Sequence, residues 1–292
     1  MKTHIAASVA LCAVLTAPTA ASAALESPAA PELSGAAVYA GTGNQLSRYD
    51  DGAWSTLAKP GDMPQFAASP DGRKAAWVTQ DGRLRIRQGG KTITMVSGLQ
   101  GGTPCLTPVW SADSAQVAYT HQGAIMAVKA DATGAPRRLG RSPGVCHLAW
   151  SANNRYVAGY TGEADALYRL DVTTGKAVKA KGVKFVTHLQ SLSPNGRTAV
   201  VEFPRDAGTL GDGSWPTFYK PVVLDMVTGK KVPIAVKGRL LGALYLVDGR
   251  LVVRVSGARH NTLVVLDGAG RELQRIAEPV KAKKQALLQV LP

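Results

Sequence analysis

His147 and His188 stand four and five residues ahead of the serines of two similar segments, Trp150-Ser151-Ala152-Asn153 and Leu192-Ser193-Pro194-Asn195. Two imidazoles entering neighbouring strands at one level, with a carboxylate such as Glu163 as a third ligand, have the makings of a catalytic zinc site, which takes three protein groups and a water. His121 and His260 are the other histidines outside the N-terminal segment, and histidine also offers acid–base chemistry near neutral pH. Gly140-Arg141-Ser142-Pro143-Gly144 has the form of a nucleophile elbow, but that motif works only on a strand-to-helix turn and this copy falls between strand-forming runs. Neither a phosphate-cradling glycine loop nor a metal-spaced cysteine cluster is present. No resident metal and no cofactor is expected.

The residues that must position these groups come in repeats. Phe66-Ala67-Ala68-Ser69-Pro70-Asp71-Gly72-Arg73 returns as Val109-Trp110-Ser111-Ala112-Asp113, as Ala149-Trp150-Ser151-Ala152-Asn153-Asn154-Arg155 and as Leu192-Ser193-Pro194-Asn195-Gly196-Arg197, and more weakly as Val247-Asp248-Gly249-Arg250. The anchoring serines Ser69, Ser111, Ser151 and Ser193 recur at 42, 40 and 42 residues. A second turn signal runs in phase: Thr133-Gly134, Thr174-Gly175-Lys176, Thr228-Gly229-Lys230 and Ala269-Gly270-Arg271. Both are turn chemistry: Pro presets φ, Gly accepts positive φ, and Asp or Asn bonds its own backbone. Short strand-forming runs lie between them, such as Lys74 to Thr79, Ala124 to Lys129, Thr198 to Phe203 and Leu251 to Val255. No stretch reads as an amphipathic helix.

Four strands in 40 to 45 residues is the arithmetic of a β-propeller blade. Five blades begin near Pro64, Leu106, His147, Leu189 and Leu241; the segment from Ala36 to Leu57 supplies three further strands. Its missing inner strand is expected from Gln285 to Leu291, which would close the ring and remove an exposed edge. The expectation is an all-β fold, a six-bladed β-propeller closed by the C-terminal strand.

The Ser-Pro-Asp-Gly-Arg-Lys turn followed by a strand, with Asp-x-x-Thr-Gly-Lys further on, resembles the propeller repeats of TolB and of the prolyl oligopeptidases. The resemblance covers nearly all of the chain after its N-terminal segment. It implies the fold and a habit of protein binding, and no activity. There is no room here for the N-terminal domain that TolB carries before its propeller, nor for a hydrolase domain. A calcium-dependent propeller enzyme would need several carboxylates converging on the channel, whereas the acidic residues here mostly occupy turns.

In such a blade the first and third turns share one face, while the middle loops and the blade-to-blade connections share the other. The second face carries the irregular loops, and loops on a rigid scaffold are where binding concentrates. All four histidines, His121, His147, His188 and His260, fall on that face, together with Gln65, Thr107, Glu163, Asp165, Arg205 and Arg259. A long insertion from about Pro204 to Lys220 emerges there too, bearing Trp215, Phe218 and Tyr219. Trp215 reads either as an exposed binding aromatic or as an anchor folded back on its own loop. Trp110 and Trp150 read as blade core, and the Arg73, Arg155, Arg197 and Arg250 series as part of the repeat or, in a second reading, as a ring for polyanions.

Lys2, an apolar run from Ile5 to Leu15 and Ala21-Ser22-Ala23 follow the order of a cleavable secretory signal. Residues 1–23 are expected to be removed, 24–35 to form a short Ala/Pro-rich linker, and 36–292 to form one propeller domain. The remaining cysteines, Cys105 and Cys146, are then an even pair in an oxidising compartment, for which a disulfide is the expectation. The formal charge of +14 attracts polyanions, but the basic residues are scattered rather than massed, so no nucleic-acid partner is expected. No later segment has the roughly 18 apolar residues of a membrane span. Together these features lead to an exported, monomeric, non-catalytic binding protein of the cell exterior or envelope, holding a protein, peptide or glycan on its irregular face. A secreted hydrolase or lyase with a site at the channel mouth is the alternative.

Overall fold

The computed structural model describes residues 31–62, 65–101, 106–204 and 215–292. Its strands form six four-stranded antiparallel sheets. Five are built from consecutive strands, with inner strands Phe66–Ala68, Val109–Trp110, Val145–Trp150, His188–Leu192 and Leu240–Tyr245 in blades two to six. In blade one the inner strand is Ala286–Val290 from the C-terminus, paired with Ala37–Ala40, which is followed by Leu46–Asp50 and Ala53–Ala58. The two ends of the propeller segment thus share one sheet, as the repeat count requires. The compact unit runs from Glu32 to Pro292.

Alternation along each strand buries one set of side chains against the blade before and one against the blade after. The core is therefore a series of clusters between neighbouring blades rather than a single centre. Val38, Leu46, Phe66 and Trp77 join blades one and two, Trp110 packs with Ile86 and Val117 between two and three, and Trp150 with Ile125 and Leu139 between three and four. Val290, Leu244 and Leu263 join blade six to blade one. Trp110 and Trp150 are blade core.

The serine of each first turn explains why the repeat is legible. Ser69 Oγ accepts from the Lys74 N–H (2.9 Å) and donates to Asp71 Oδ1 (2.5 Å), which also accepts the Arg73 N–H (3.0 Å). Ser111 with Asp113, Ser151 with Asn153 and Ser193 with Asn195 repeat the arrangement. Gly72 holds φ at 64°, and a Cβ there would meet Leu291 at 2.5 Å, so both conformation and the closing strand demand glycine. In the third turns, Asp171 accepts the Thr173 and Thr174 N–H groups and takes Arg155 on its other oxygen, and Asp225 does the same with Val227, Thr228 and Arg197. The Thr228 N–H, then Arg197 and the Val227 N–H, hold the Asp225 carboxyl at about 2. Arg155 and Arg197 thus brace the repeat.

Four of the inner strands carry one extra residue against their partner. The pairing shifts between Val145 and His147, between Leu189 and Ser191, between Leu240 and Gly242, and opposite Val38 and Tyr39. Such a bulge re-aims the side chain of the extra residue. In blade five that residue is Gln190, and its direction shapes the channel.

Candidate functional site: the central channel

The ring encloses a cavity of about 280 Å³. Its sides are the inner strands: Ala67 and Ala68, Val109, Leu148 and Ala149, Leu192, Leu244 and Leu288. At one end it is framed by the first turns, through Pro70, Ala112, Ala152 and Val247, and by the C-terminal Pro292. At the other end stand Gln190 and Trp215. The cavity is a well with mostly apolar walls, entered past the regular turns, where Asp71, Asp113 and Asp248 also line it, and floored from the irregular side.

Gln190 and Trp215 make the floor, and Gln289 stands nearer the mouth. Gln190 Nε2 donates across the channel to the carbonyls of Leu287 and Leu288, 3.4 Å each, and its Oε1 receives His188 Nε2 at 2.9 Å. Gln289 Nε2 donates to the Ala68 carbonyl at 3.3 Å. Trp215, arriving from the blade-five insertion, donates its indole N–H to the Phe66 carbonyl at 2.7 Å, lies nearly parallel to the Phe66 ring at 6.4 Å and meets His188 edge-on at 5.5 Å. Burial pushes the His188 imidazole down to about 4, opposed by its bond to Gln190. The ring is neutral at ordinary pH.

A second polar chain runs along the starts of three inner strands. Thr107 Oγ1 donates to Gln65 Oε1 at 2.7 Å and lies 2.7 Å from His147 Nδ1. A hydroxyl has one proton, so with it given to Gln65 the second bond comes from the Nδ1–H of His147. All three residues are buried, and the His147 ring stacks on Tyr160 at 4.7 Å. Thr107 and Gln65 thereby stitch blades two, three and four together at the same level.

The histidines expected on one face are not gathered into one site. His147 sits in the Thr107 chain and His188 against Trp215. His121 borders a separate groove of about 530 Å³ between the loops of blades three and four, shared with Ser142, Cys146, Glu163 and Asp165. His260 is half-buried in blade six, its Nδ1 3.0 Å from the Asn261 carbonyl. Among the described residues, no group of three or more His, Cys, Asp or Glu side chains is placed to hold a metal ion, and the Glu163 partnership with His147 and His188 does not form.

The aromatic insertion divides as well. Trp215 is half-buried and Tyr219 is buried, with its hydroxyl donating to the Ala243 carbonyl and accepting the Ala243 N–H at 3.0 Å. Both act as anchors. Phe218 alone of the three is exposed, with the Arg254 guanidinium 5.6 Å from its ring centre. Arg259 is exposed beside His260. Arg205 and Cys105 lie outside the described residues; Cys146 is buried at the blade-four bulge.

Sequence reasoning passed over Gln190, Gln289 and Arg254. Arg254 is wholly buried in the Leu251–Val255 strand, pairs with Glu278 at 2.9 Å, and donates to the carbonyls of Thr217, Ala282 and Gln285. An arginine inside Leu-Val-Val-Arg-Val is itself a signal, since a charge in a run buried on both faces must have partners.

No family model and no curated protein matches the chain. Among solved structures it is similar to TolB from Acinetobacter baumannii, with a TM-score of 0.53 at 18% identity over 87% of this chain. The chain spans 66% of that TolB chain. It is also similar to a chain from the crystal structure of a nidogen/laminin complex, with a TM-score of 0.52 at 11% identity, covering 87% of this chain and 99% of that one. At these identities the likeness establishes the fold: a TolB-like six-bladed β-propeller.

Proposed function

We propose that this chain is an exported, non-catalytic binding module that grips an extended segment of a protein partner in its central cavity, entered from the face of the regular turns. The observation that carries this reading is the well of about 280 Å³ with mostly apolar walls, the Gln190 amide at its floor and the Gln289 amide nearer its mouth. A concave, mostly apolar site with a few fixed polar groups is the usual form of a ligand site. Inner strands offer main-chain carbonyls to the channel, and Gln190 and Gln289 already bind such carbonyls with their amide N–H groups. Peptide N–H groups would use the same edge nearer the mouth, in the manner of strand addition, which favours a peptide over a glycan. Export rests on the order of charge, apolar run and small residues before Ala24. One of the two similar propellers comes from a nidogen/laminin complex, a setting in which proteins associate with one another, and this agrees with a protein partner here.

Affinity capture from the producing cell's envelope and medium tests this, using the chain beside an Ala152→Trp variant that fills the mouth while leaving the floor intact. A protein captured by the parent and lost with Ala152→Trp supports the cavity as the site. Equal capture by both, with both folded, would overturn it.

A further inference from the structure

The positive charge of the chain is unevenly answered. On the turn side, Arg155, Arg197, Arg250 and Arg271 each pair with an aspartate. Other cations of the same turns, such as Arg73, Lys176 and Lys230, take part in no ion pair among the described residues, and the connection from blade six to blade one brings several cations of this second kind close together in sequence. This connection folds as a single 3₁₀ turn, Val280–Lys284, against the loop 256–261 of blade six. Lys283 Nζ donates to the Ala258 carbonyl, Asn261 Nδ2 to the Lys283 carbonyl at 3.2 Å, and the Glu278 N–H to the Asn261 carbonyl at 2.9 Å. These bonds hold the loop of Arg259 against the turn that carries Lys281, Lys283 and Lys284, with Lys281 Nζ 4.9 Å from the centre of the Trp54 ring. Arg254 beneath bonds both Gln285 and Thr217, so Phe218 and Lys220 border the same patch.

None of these five cations takes part in an ion pair among the described residues. The carboxylate packed beneath them, Glu278, is buried and committed to Arg254. Glu202, beside Lys220, accepts the Lys220 N–H and the Thr187 hydroxyl. Amid the cations, Val280 is 54% exposed and Phe218 41%.

We propose that this surface docks on a bilayer leaflet carrying anionic phosphate headgroups, the cations binding phosphate while Val280 and Phe218 enter the boundary with the acyl chains. Cations that take part in no ion pair among the described residues give the electrostatic attraction and exposed apolar side chains near them give the insertion, the two components of interfacial binding. A soluble polyanion would use the first and leave the second in water, and this decides for the lipid surface. The site is separate from the central cavity.

Vesicle sedimentation with the folded chain tests it, with phosphatidylcholine alone against phosphatidylcholine mixed with phosphatidylglycerol. Binding is expected only to the anionic vesicles and to weaken as salt rises. Arg259→Glu/Lys281→Glu/Lys284→Glu should lower partitioning by on the order of 100-fold, the scale for three cations near an anionic leaflet. Val280→Ser/Phe218→Ser should also lower it while leaving retention on inorganic polyphosphate unchanged. Thermal melts establish that each variant is folded. No sedimentation of the parent chain, or parent-like partitioning of the charge-reversed variant, would overturn the proposal. Undiminished vesicle binding by Val280→Ser/Phe218→Ser would assign the patch to phosphate polymers and overturn the lipid docking.

Discussion

The indole N–H of Trp215 donates to the main-chain carbonyl of Phe66 at 2.7 Å across 149 residues of sequence, carrying a side chain of blade five over to the inner strand of blade two. The contact spans the channel, so one residue both closes the irregular mouth and ties together blades that do not touch as neighbours. The cavity below is consequently a blind well.

Trp215→Ala removes the bond to Phe66 and the ring contacts with Phe66 and His188. Full truncation of a buried aromatic costs about 3–5 kcal/mol, so for this half-buried ring about 2–3 kcal/mol of unfolding free energy is expected. Trp215→Phe, which keeps the ring and loses the donor, should lose less. Urea denaturation of the three proteins checks the order, and a Trp215→Ala variant as stable as the parent would contradict the anchoring role.

Arg254 and Glu278 form a buried pair in which the arginine also serves three carbonyls. Removing one partner of such a pair costs about 3–5 kcal/mol. Arg254→Met should therefore be the more damaging change, because it strands Glu278 and the Thr217, Ala282 and Gln285 carbonyls together, while Glu278→Gln leaves the carbonyl bonds in place. A double-mutant cycle measures the coupling, and additive losses would show that the pair acts as two independent groups.

His188 titrates near 4 in the folded chain against an ordinary value of 6.5. The folded state therefore favours the neutral ring, and between these values the unfolded chain binds more protons. Stability attributable to His188 is complete above about pH 6.5 and falls as pH drops towards 4, by up to about 3 kcal/mol. His188→Gln should flatten the decline of melting temperature with pH over that window. An unchanged decline would assign it to other groups.

Cys105 and Cys146 are proposed to be joined by a disulfide, as export would allow. Intact mass after alkylation of the unfolded, unreduced chain should show no free thiol, and two alkylated cysteines would refute the bond. If joined, reduction should cost about 2–4 kcal/mol, seen as a lower urea midpoint.

The propeller could be read from the chain's own repeats. Ser69, Ser111, Ser151 and Ser193 announce the blades because the hydroxyl of each serine is bonded within five positions of it, and local chemistry repeats wherever the local sequence does. The closing strand was legible for a similar reason, since blade one lacked an inner strand and one apolar run remained. The position of the site, by contrast, came from packing across the ring. Gln190 meets Leu287 and Leu288 because a bulge turns its side chain across the channel, Trp215 meets Phe66 over 149 residues, and Arg254 gathers the carbonyls of two connections. Each partnership joins segments whose separation in sequence carries no pattern, because the channel brings all six inner strands within reach of one another. For that reason residues assigned to one face by periodicity, such as His147, His188, Tyr219 and Trp215, turn inward and become its floor and braces.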